Sequence, residues 1–338
     1  MYKPIFRISP YLLNLIDEAS KLHSWIDLAP LQVAWLPILQ KEARARATHS
    51  STSIEGNPLT LSQVQAIDRG EKTGAPHSQE IEVANYLKAM RWIEKRPSAK
   101  INEATLLYLH KLLMRNLQPD SKCGQYKDKQ NYVINEKGIR IYTPPPIKET
   151  PRLARELIDW LSLKETKELH CVPVCAIFHH QLVSIHPFSD GNGRIARALG
   201  TLILYQRGFD TKHLFSLDDF FAGDRKRYYQ KIEQARDLDN DLTLWIEYVA
   251  EGIVATLKDA KKRIEDLQVS STAKINISPR QEEVLRILRD NPTLSGAELI
   301  KKLKVTRARL NQIISPLVEN RLVIKEGQSR ATRYKLAI

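Results

Sequence analysis

No stretch of this sequence approaches the roughly 20 consecutive apolar residues that cross a bilayer as a helix. The opening segment MYKPIFRISP also lacks the apolar core of a secretory signal. Both absences argue against a helical membrane or exported protein, and the expectation is a chain of the cytoplasm with no membrane partner. Cysteine is scarce. Cys123, Cys171 and Cys175 are too few and odd in number for a disulfide framework, which agrees with a reducing compartment. Internal repeats and low-complexity tracts are missing as well, so the chain reads as ordinary globular sequence.

Hydrophobic residues make up 42% of the 338 positions, ample for real cores in two or three domains. Apolar residues recur at spacings of three and four in YLLNLIDEASKL, EVANYLKAMRWI, EATLLYLHKLLMRNL, RLARELIDWLSL and LWIEYVAEGIVATLKDAKKRIEDL, which predicts a mainly helical core. YVINEKGIRIYTPPP differs: two short β-prone runs surround the stretch from Asn135 to Gly138, and three prolines then forbid a helix. A lone hairpin is expected over about 131–143. VSSTAKINIS is the one plausible linker, with a boundary near residue 272. The expected division is an N-terminal helical region (1–60), a core (61–257), a helix end and linker (258–277) and a tail domain (278–338).

Charge is uneven. Residues 271–338 hold 14 Lys and Arg against 6 Asp and Glu, a net of +8, which leaves +5 of the formal +13 for the rest. The tail is a candidate polyanion-binding module. Cys171, Cys175, His179 and His180 invite a zinc reading, but the proline and apolar residues of CVPVCAIFHH, and the lack of a second ligand pair, favour a buried helix.

The chemistry concentrates in IHPFSDGNGRIARALGTLIL, residues 185–204, where one apolar helix runs into a loop and another runs out. Gly191 and Gly193 around Asn192 free the backbone to aim N–H groups at one point, as phosphate-holding loops before helices do. Arg194 and Arg197 lie early in the outgoing helix, where cations oppose the dipole unless an anion sits in front of them. Asp190 offers a hard oxygen ligand for Mg²⁺ shared with substrate phosphates. His186 is the natural general base. The plainer alternative is a glycine-bearing turn between two core helices.

His186, Pro187, Phe188, Gly191, Asn192, Gly193, Arg194 and Arg197 match every fixed position of HPFxxGNGRxxR, so the chain resembles the Fic family. The resemblance implies a mainly α fold: a Fic helical bundle with a β-hairpin flap. It implies a nucleotidyltransferase using ATP and Mg²⁺ that moves AMP onto a Ser, Thr or Tyr hydroxyl of a protein, itself included, and releases pyrophosphate. His186 would deprotonate the hydroxyl, Asp190 bind Mg²⁺, the backbone of Gly191, Asn192 and Gly193 hold phosphates, and Arg194 and Arg197 grip the β and γ phosphates. The flap, through Tyr132, Val133 and Ile134, would align a target segment by strand addition. Tyr228 and Tyr229 would enclose adenine; where some members carry an asparagine about eight residues later, this chain has Arg236.

Upstream, EARARATHSSTSIEGNPLTLSQV reads as a helix stopped by Gly56 and Pro58. Ser51 and Glu55 share a face, and Glu55, in the last turn, needs a cation partner. Ser51, Glu55 and Gly56 resemble the family's inhibitory motif, which implies that Glu55 pairs with Arg197 and misplaces the ATP γ-phosphate.

Residues 278–338 read as three helices and a hairpin, beginning at Ser278 and Pro279, and resemble a small winged helix-turn-helix (α+β) domain. Thr306, Arg307, Arg309, Asn311 and Gln312 would face a DNA groove, with Lys325, Arg330 and Arg333 beside the wing. Two other uses stay open on sequence: AMP removal or transfer of another phosphate-containing group at the same site, and a nucleotide-sensing DNA-binding regulator. A homodimer is compatible with each, and the target protein is unnamed by the sequence.

Overall fold

The computed structural model of the chain describes residues 1–31, 35–134, 138–270, 277–291, 293–320, 322–327 and 332–336. It falls into two compact units, Met1–Asp27 with Glu42–Lys261, and Leu28–Lys41 with Lys262–Ile338. Of the expected helix end and linker, 258–270 belong to one long helix, and the boundary near 272 with residues 271–276 lies outside the described residues.

Helices in chain order are α1 (Pro10–Leu28), α2 (Trp35–Ile54), α3 (Leu61–Asp68), α4 (His77–Glu94), α5 (Glu103–Met114), α6 (Thr150–Trp160), α7 (Lys164–Glu168), α8 (Cys171–Ile185), α9 (Asn192–Gln206), α10 (Leu217–Gly223), α11 (Arg225–Asp237) and α12 (Thr243–Ser270). These build the first unit, apart from the ends of α1, α2 and α12. At its centre α8 packs along α9. Nearly every residue of both is buried, as a helix apolar on all sides requires. Along α12, Trp245, Val249, Ile253 and Leu257 turn one face into the core, and the Trp245 indole donates to the Ala176 carbonyl at 2.7 Å. Each such buried side chain contributes roughly 1.5–3 kcal/mol, so the α8–α9 pair is a rigid base for the loop that joins them.

The zinc constellation is dispersed: Cys175 Sγ donates to Gly200 O at 3.4 Å, His179 Nε2 meets the Tyr228 hydroxyl at 2.9 Å, and His180 Nε2 meets Ile232 O at 3.1 Å. Strands β1 (Val133–Ile134) and β2 (Arg140–Tyr142) form an antiparallel hairpin pairing Val133 with Tyr142 and Ile134 with Arg140, with a bulge between. Asn135 of the expected turn lies outside the described residues; Gly138 holds a φ of 74°.

The second unit contains α13 (Pro279–Asp290), β3 (Leu294–Ser295), α14 (Gly296–Leu303), α15 (Arg307–Glu319), β4 (Val323–Glu326) and β5 (Arg333–Leu336). Its antiparallel sheet has the order β3-β5-β4. Capping boxes start α13 (Ser278 with Gln281) and α14 (Ser295 with Glu298), and Val284, Leu288, Leu299, Leu310, Ile314, Leu317 and Tyr334 form the core. Arg330 of the expected wing is outside the described residues.

Candidate active site

The loop between α8 and α9 is held in an unusual backbone. His186 ends α8 in the left-handed region (φ 50°, ψ 59°), uncommon for a residue with a Cβ. Its Nδ1 lies 3.2 Å from the Val183 carbonyl, which can only accept, so Nδ1 carries the proton and Nε2 keeps a lone pair. Burial, helped by the charges of Lys127 and Arg236, pushes the His186 pKa down to about 4. At neutral pH the ring is therefore an uncharged base whose acceptor nitrogen has no partner among the described residues.

Asn192 closes the loop: its Oδ1 accepts from Phe188 N and its Nδ2 donates to Phe188 O, both at 2.9 Å. Gly191 (φ 79°) caps α9 without a side-chain hydrogen bond, leaving the first N–H groups of α9 uncapped by a side chain. A Cβ on Gly191 would come 2.7 Å from Met114 Sδ, and one on Gly193 would strike the Glu55 carboxylate. That second contact sets Glu55 directly against the amino end of α9, the place best suited to an anion.

The two arginines diverge. Arg194 donates through Nη1 to Glu82 Oε1 at 2.6 Å and through Nη2 to Asp190 Oδ1 at 2.9 Å. Arg197, its side chain wholly buried, donates through Nε to Ser51 Oγ at 2.7 Å and through Nη2 to Ser51 O at 2.8 Å and Glu55 Oε1 at 2.7 Å. Its Nη1 is buried with no partner among the described residues. Ser51 and Glu55 thus meet the same guanidinium, just before Gly56 (φ 96°) ends the turn. Asp190 stays 63% exposed, with Oδ1 taken by Arg194 and the Gly191 N–H, so Oδ2 is the oxygen open to a metal.

Several residues that build this site carry no motif. His110 stacks on Phe188 (centroids 3.7 Å apart); its Nδ1 accepts from Gly124 N at 2.9 Å, so its Nε2–H donates to Asp190 O at 3.0 Å. Burial holds it neutral, with a pKa of about 4. Asp218, buried and accepting from the Tyr86 hydroxyl at 2.9 Å, stands 4.0 Å from Arg197 Nε. Glu82, His110 and Asp218 come from α4, α5 and α10, and only an isolated charge or histidine in an apolar helix could have hinted at them.

Tyr132 and Ile134 are exposed on the flap, with Val133 half-buried between them. Tyr228 is buried against Phe221 and Trp245 with its hydroxyl on His179, so Tyr229 is the member of that pair with ring surface to offer; its hydroxyl donates to Ile54 O at 3.3 Å. In the second unit Thr306, Arg307, Arg309, Asn311 and Gln312 are all exposed at the start of α15. Thr306 Oγ1 caps the helix by accepting from Arg309 N, and Arg309 Nη1 donates to Gln312 Oε1 at 2.9 Å. Lys325 and Arg333 are exposed on β4 and β5. Among the described residues no helix is long and apolar enough to cross a membrane.

Residues 100–204 match the Fic/DOC family and 277–324 match the winged helix-turn-helix DNA-binding family. The protein adenylyltransferase Fic of Nematostella vectensis is 29% identical over 247 residues, 71% of this chain and 53% of its own length. That of Drosophila willistoni is 27% identical over 266 residues, 78% and 48%. The chain spans about half the length of the curated relatives it matches. The crystal structure of a Fic family protein from Desulfovibrio desulfuricans G20 superposes with a TM-score of 0.67 at 25% identity, covering 99% of this chain and 98% of that one. The chain carries a Fic/DOC family domain followed by a winged helix-turn-helix domain.

Proposed function

We propose that this chain is a protein adenylyltransferase that moves AMP from ATP to a Ser, Thr or Tyr hydroxyl of a protein, itself included, and that Glu55 restrains it. The observation that carries this reading is the Glu55 carboxylate lying on Arg197 and against Gly193 at the amino end of α9. An internal anion there marks the place of a phosphate, and the names of the relatives supply the reaction class.

The hydroxyl oxygen attacks the α-phosphorus, the bond to the bridging oxygen of the β-phosphate breaks, and pyrophosphate leaves. His186 Nε2 takes the hydroxyl proton. Negative charge grows on the departing pyrophosphate, which the N–H groups of α9, Arg194 and Arg197 would stabilise. Asp190 fits Mg²⁺ because its Oδ2 is free and exposed, and the ion would neutralise phosphate charge there. While Glu55 holds Arg197, a γ-phosphate cannot have that guanidinium. Three free, buried cysteines agree with a reducing compartment such as the cytoplasm. The exposed cationic start of α15 supports DNA binding by the second unit.

The reaction class is tested by which phosphate reaches the protein. Label from the α-phosphate of ATP should appear on protein and label from the γ-phosphate should not; γ-label on protein would mean phosphorylation and would sink the reading.

A further inference from the structure

Two cations beside His186 help keep its ring uncharged but have no ligand assigned to them in the chemistry above. Lys127 is only 3% exposed at the root of the flap. Its backbone N–H donates to Pro187 O at 2.9 Å, its Nζ donates to Asn131 Oδ1 at 3.0 Å, and Asn131 Nδ2 donates to Phe188 O at 2.9 Å. An ammonium has three N–H groups, and Asn131 engages one. Arg236 arrives from α11: its Nε donates to Ser184 Oγ at 3.2 Å and its guanidinium lies 3.7 Å from the centroid of the Tyr142 ring. The Tyr142 hydroxyl donates in turn to Ser184 O at 2.9 Å. Lys127 is thus tied to Pro187 through its backbone N–H and to Phe188 through Asn131, just after His186, and Arg236 is tied to Ser184, two residues before it.

Neither makes an ion pair among the described residues. Burial alone lowers Lys127, to about 8, and burial is also the main influence on Arg236, outweighing Glu233 and Asp237 on its own helix. Sequestering cations without a counter-ion is unfavourable, and such groups mark a place that an incoming anion completes.

Position indicates what brings the anion. The amino end of α9, Arg194 and Arg197 form one side of the loop and are engaged by Glu55, Glu82 and Asp190. Lys127 and Arg236 stand on the flap side. Tyr142, on which Arg236 stacks, is the cross-strand partner of Val133, and β1 is the strand whose open edge would pair with an extended acceptor segment. We infer that Lys127 and Arg236 form an electropositive subsite on the acceptor side of His186, selecting a segment with an aspartate or glutamate next to the hydroxyl. This rests on the reading of the site as one that modifies a protein hydroxyl.

The test uses fluorescent peptides with a central Ser, Thr or Tyr flanked either by Glu or by Gln, bound to the full-length Glu55→Gly chain with a non-hydrolysable ATP analogue. Glu-flanked peptides should bind about tenfold tighter, the effect of one charge-assisted contact. Lys127→Met and Arg236→Gln should each bring the ratio towards one without weakening binding of the analogue, and Lys127→Arg should keep it. Equal binding, or none, by the two peptide sets overturns the subsite. So does a ratio that survives both neutral variants. Loss of analogue binding in those variants assigns the cations to the nucleotide instead and also overturns it. Transfer of α-label from ATP is measured separately on the same Glu55→Gly protein, so failure of the adenylyl-transfer reading registers apart from the peptide ratio.

Discussion

Gly193→Ala should couple strongly to Glu55. Gly193 is in the first turn of α9 with an ordinary helical backbone, so alanine there brings no strain and up to about 1 kcal/mol of helix preference. The added methyl would nevertheless strike the Glu55 carboxylate and come 2.9 Å from Arg197 Nη1. Arg197 is buried and pinned by Ser51, whereas Glu55 is 26% exposed, so Glu55 is the group that gives way. Losing a charge-assisted hydrogen bond costs about 1.5–3 kcal/mol, which leaves a net destabilisation of about 1–2 kcal/mol. In the Glu55→Gly background that bond is already absent and Arg197 Nη1 has room to shift, so the same alanine should be neutral or stabilising by up to about 1 kcal/mol. For a unit of this size 1 kcal/mol is about 2–4 °C, so calorimetry should find the helical unit's transition lowered by several degrees in the wild-type background and unchanged or raised by up to about 4 °C in the Glu55→Gly background. Equal shifts in both backgrounds would refute the packing of Glu55 on the α9 terminus.

Three further outcomes follow from the same geometry. His186→Ala should abolish transfer and leave ATP binding intact, and because burial holds His186 near 4, activity should show no loss attributable to this base between pH 8 and pH 6, checked by a pH-rate profile of Glu55→Gly. His110 is buried with a folded pKa of about 4 against 6.5 unfolded, so its contribution is complete above pH 6.5 and fades as pH falls towards 4; it amounts to up to about 3 kcal/mol, and thermal melts of wild type and His110→Gln should converge as pH drops through that window. If the second unit binds duplex DNA, Arg307→Ala and Arg309→Ala should each flatten the salt dependence of binding, lowering the slope of log K against log salt by about 0.9 for every phosphate no longer neutralised, as fluorescence anisotropy would measure.

The helices were legible because apolar residues at spacings of three and four have one physical meaning, and the loop was legible because glycines, a histidine and two arginines crowd one turn. The first tail helix announced itself through Ser278 and Pro279, whereas the caps at Ser295 and Thr306 emerged only with the structure. Sequence proximity could not supply Glu82, His110 or Asp218, since each reaches the loop from a helix distant in the chain. Tyr228 and Tyr229 are adjacent in sequence, yet successive helical positions face different ways, which sends one into the aromatic core and leaves the other at the end of α2. Lys127 and Arg236 were invisible as a pair for the same reason: the hairpin and α11 are brought together only by folding around Ser184.

The most direct measurement incubates wild type, Glu55→Gly and His186→Ala with Mg²⁺ and ATP labelled at the α-phosphate, and quantifies label on protein. Freeing Arg197 should raise labelling in Glu55→Gly about tenfold or more, in line with one charge-assisted bond removed from competition, and His186→Ala should show none. Equal labelling of wild type and folded Glu55→Gly, or labelling that persists in His186→Ala, would contradict the account.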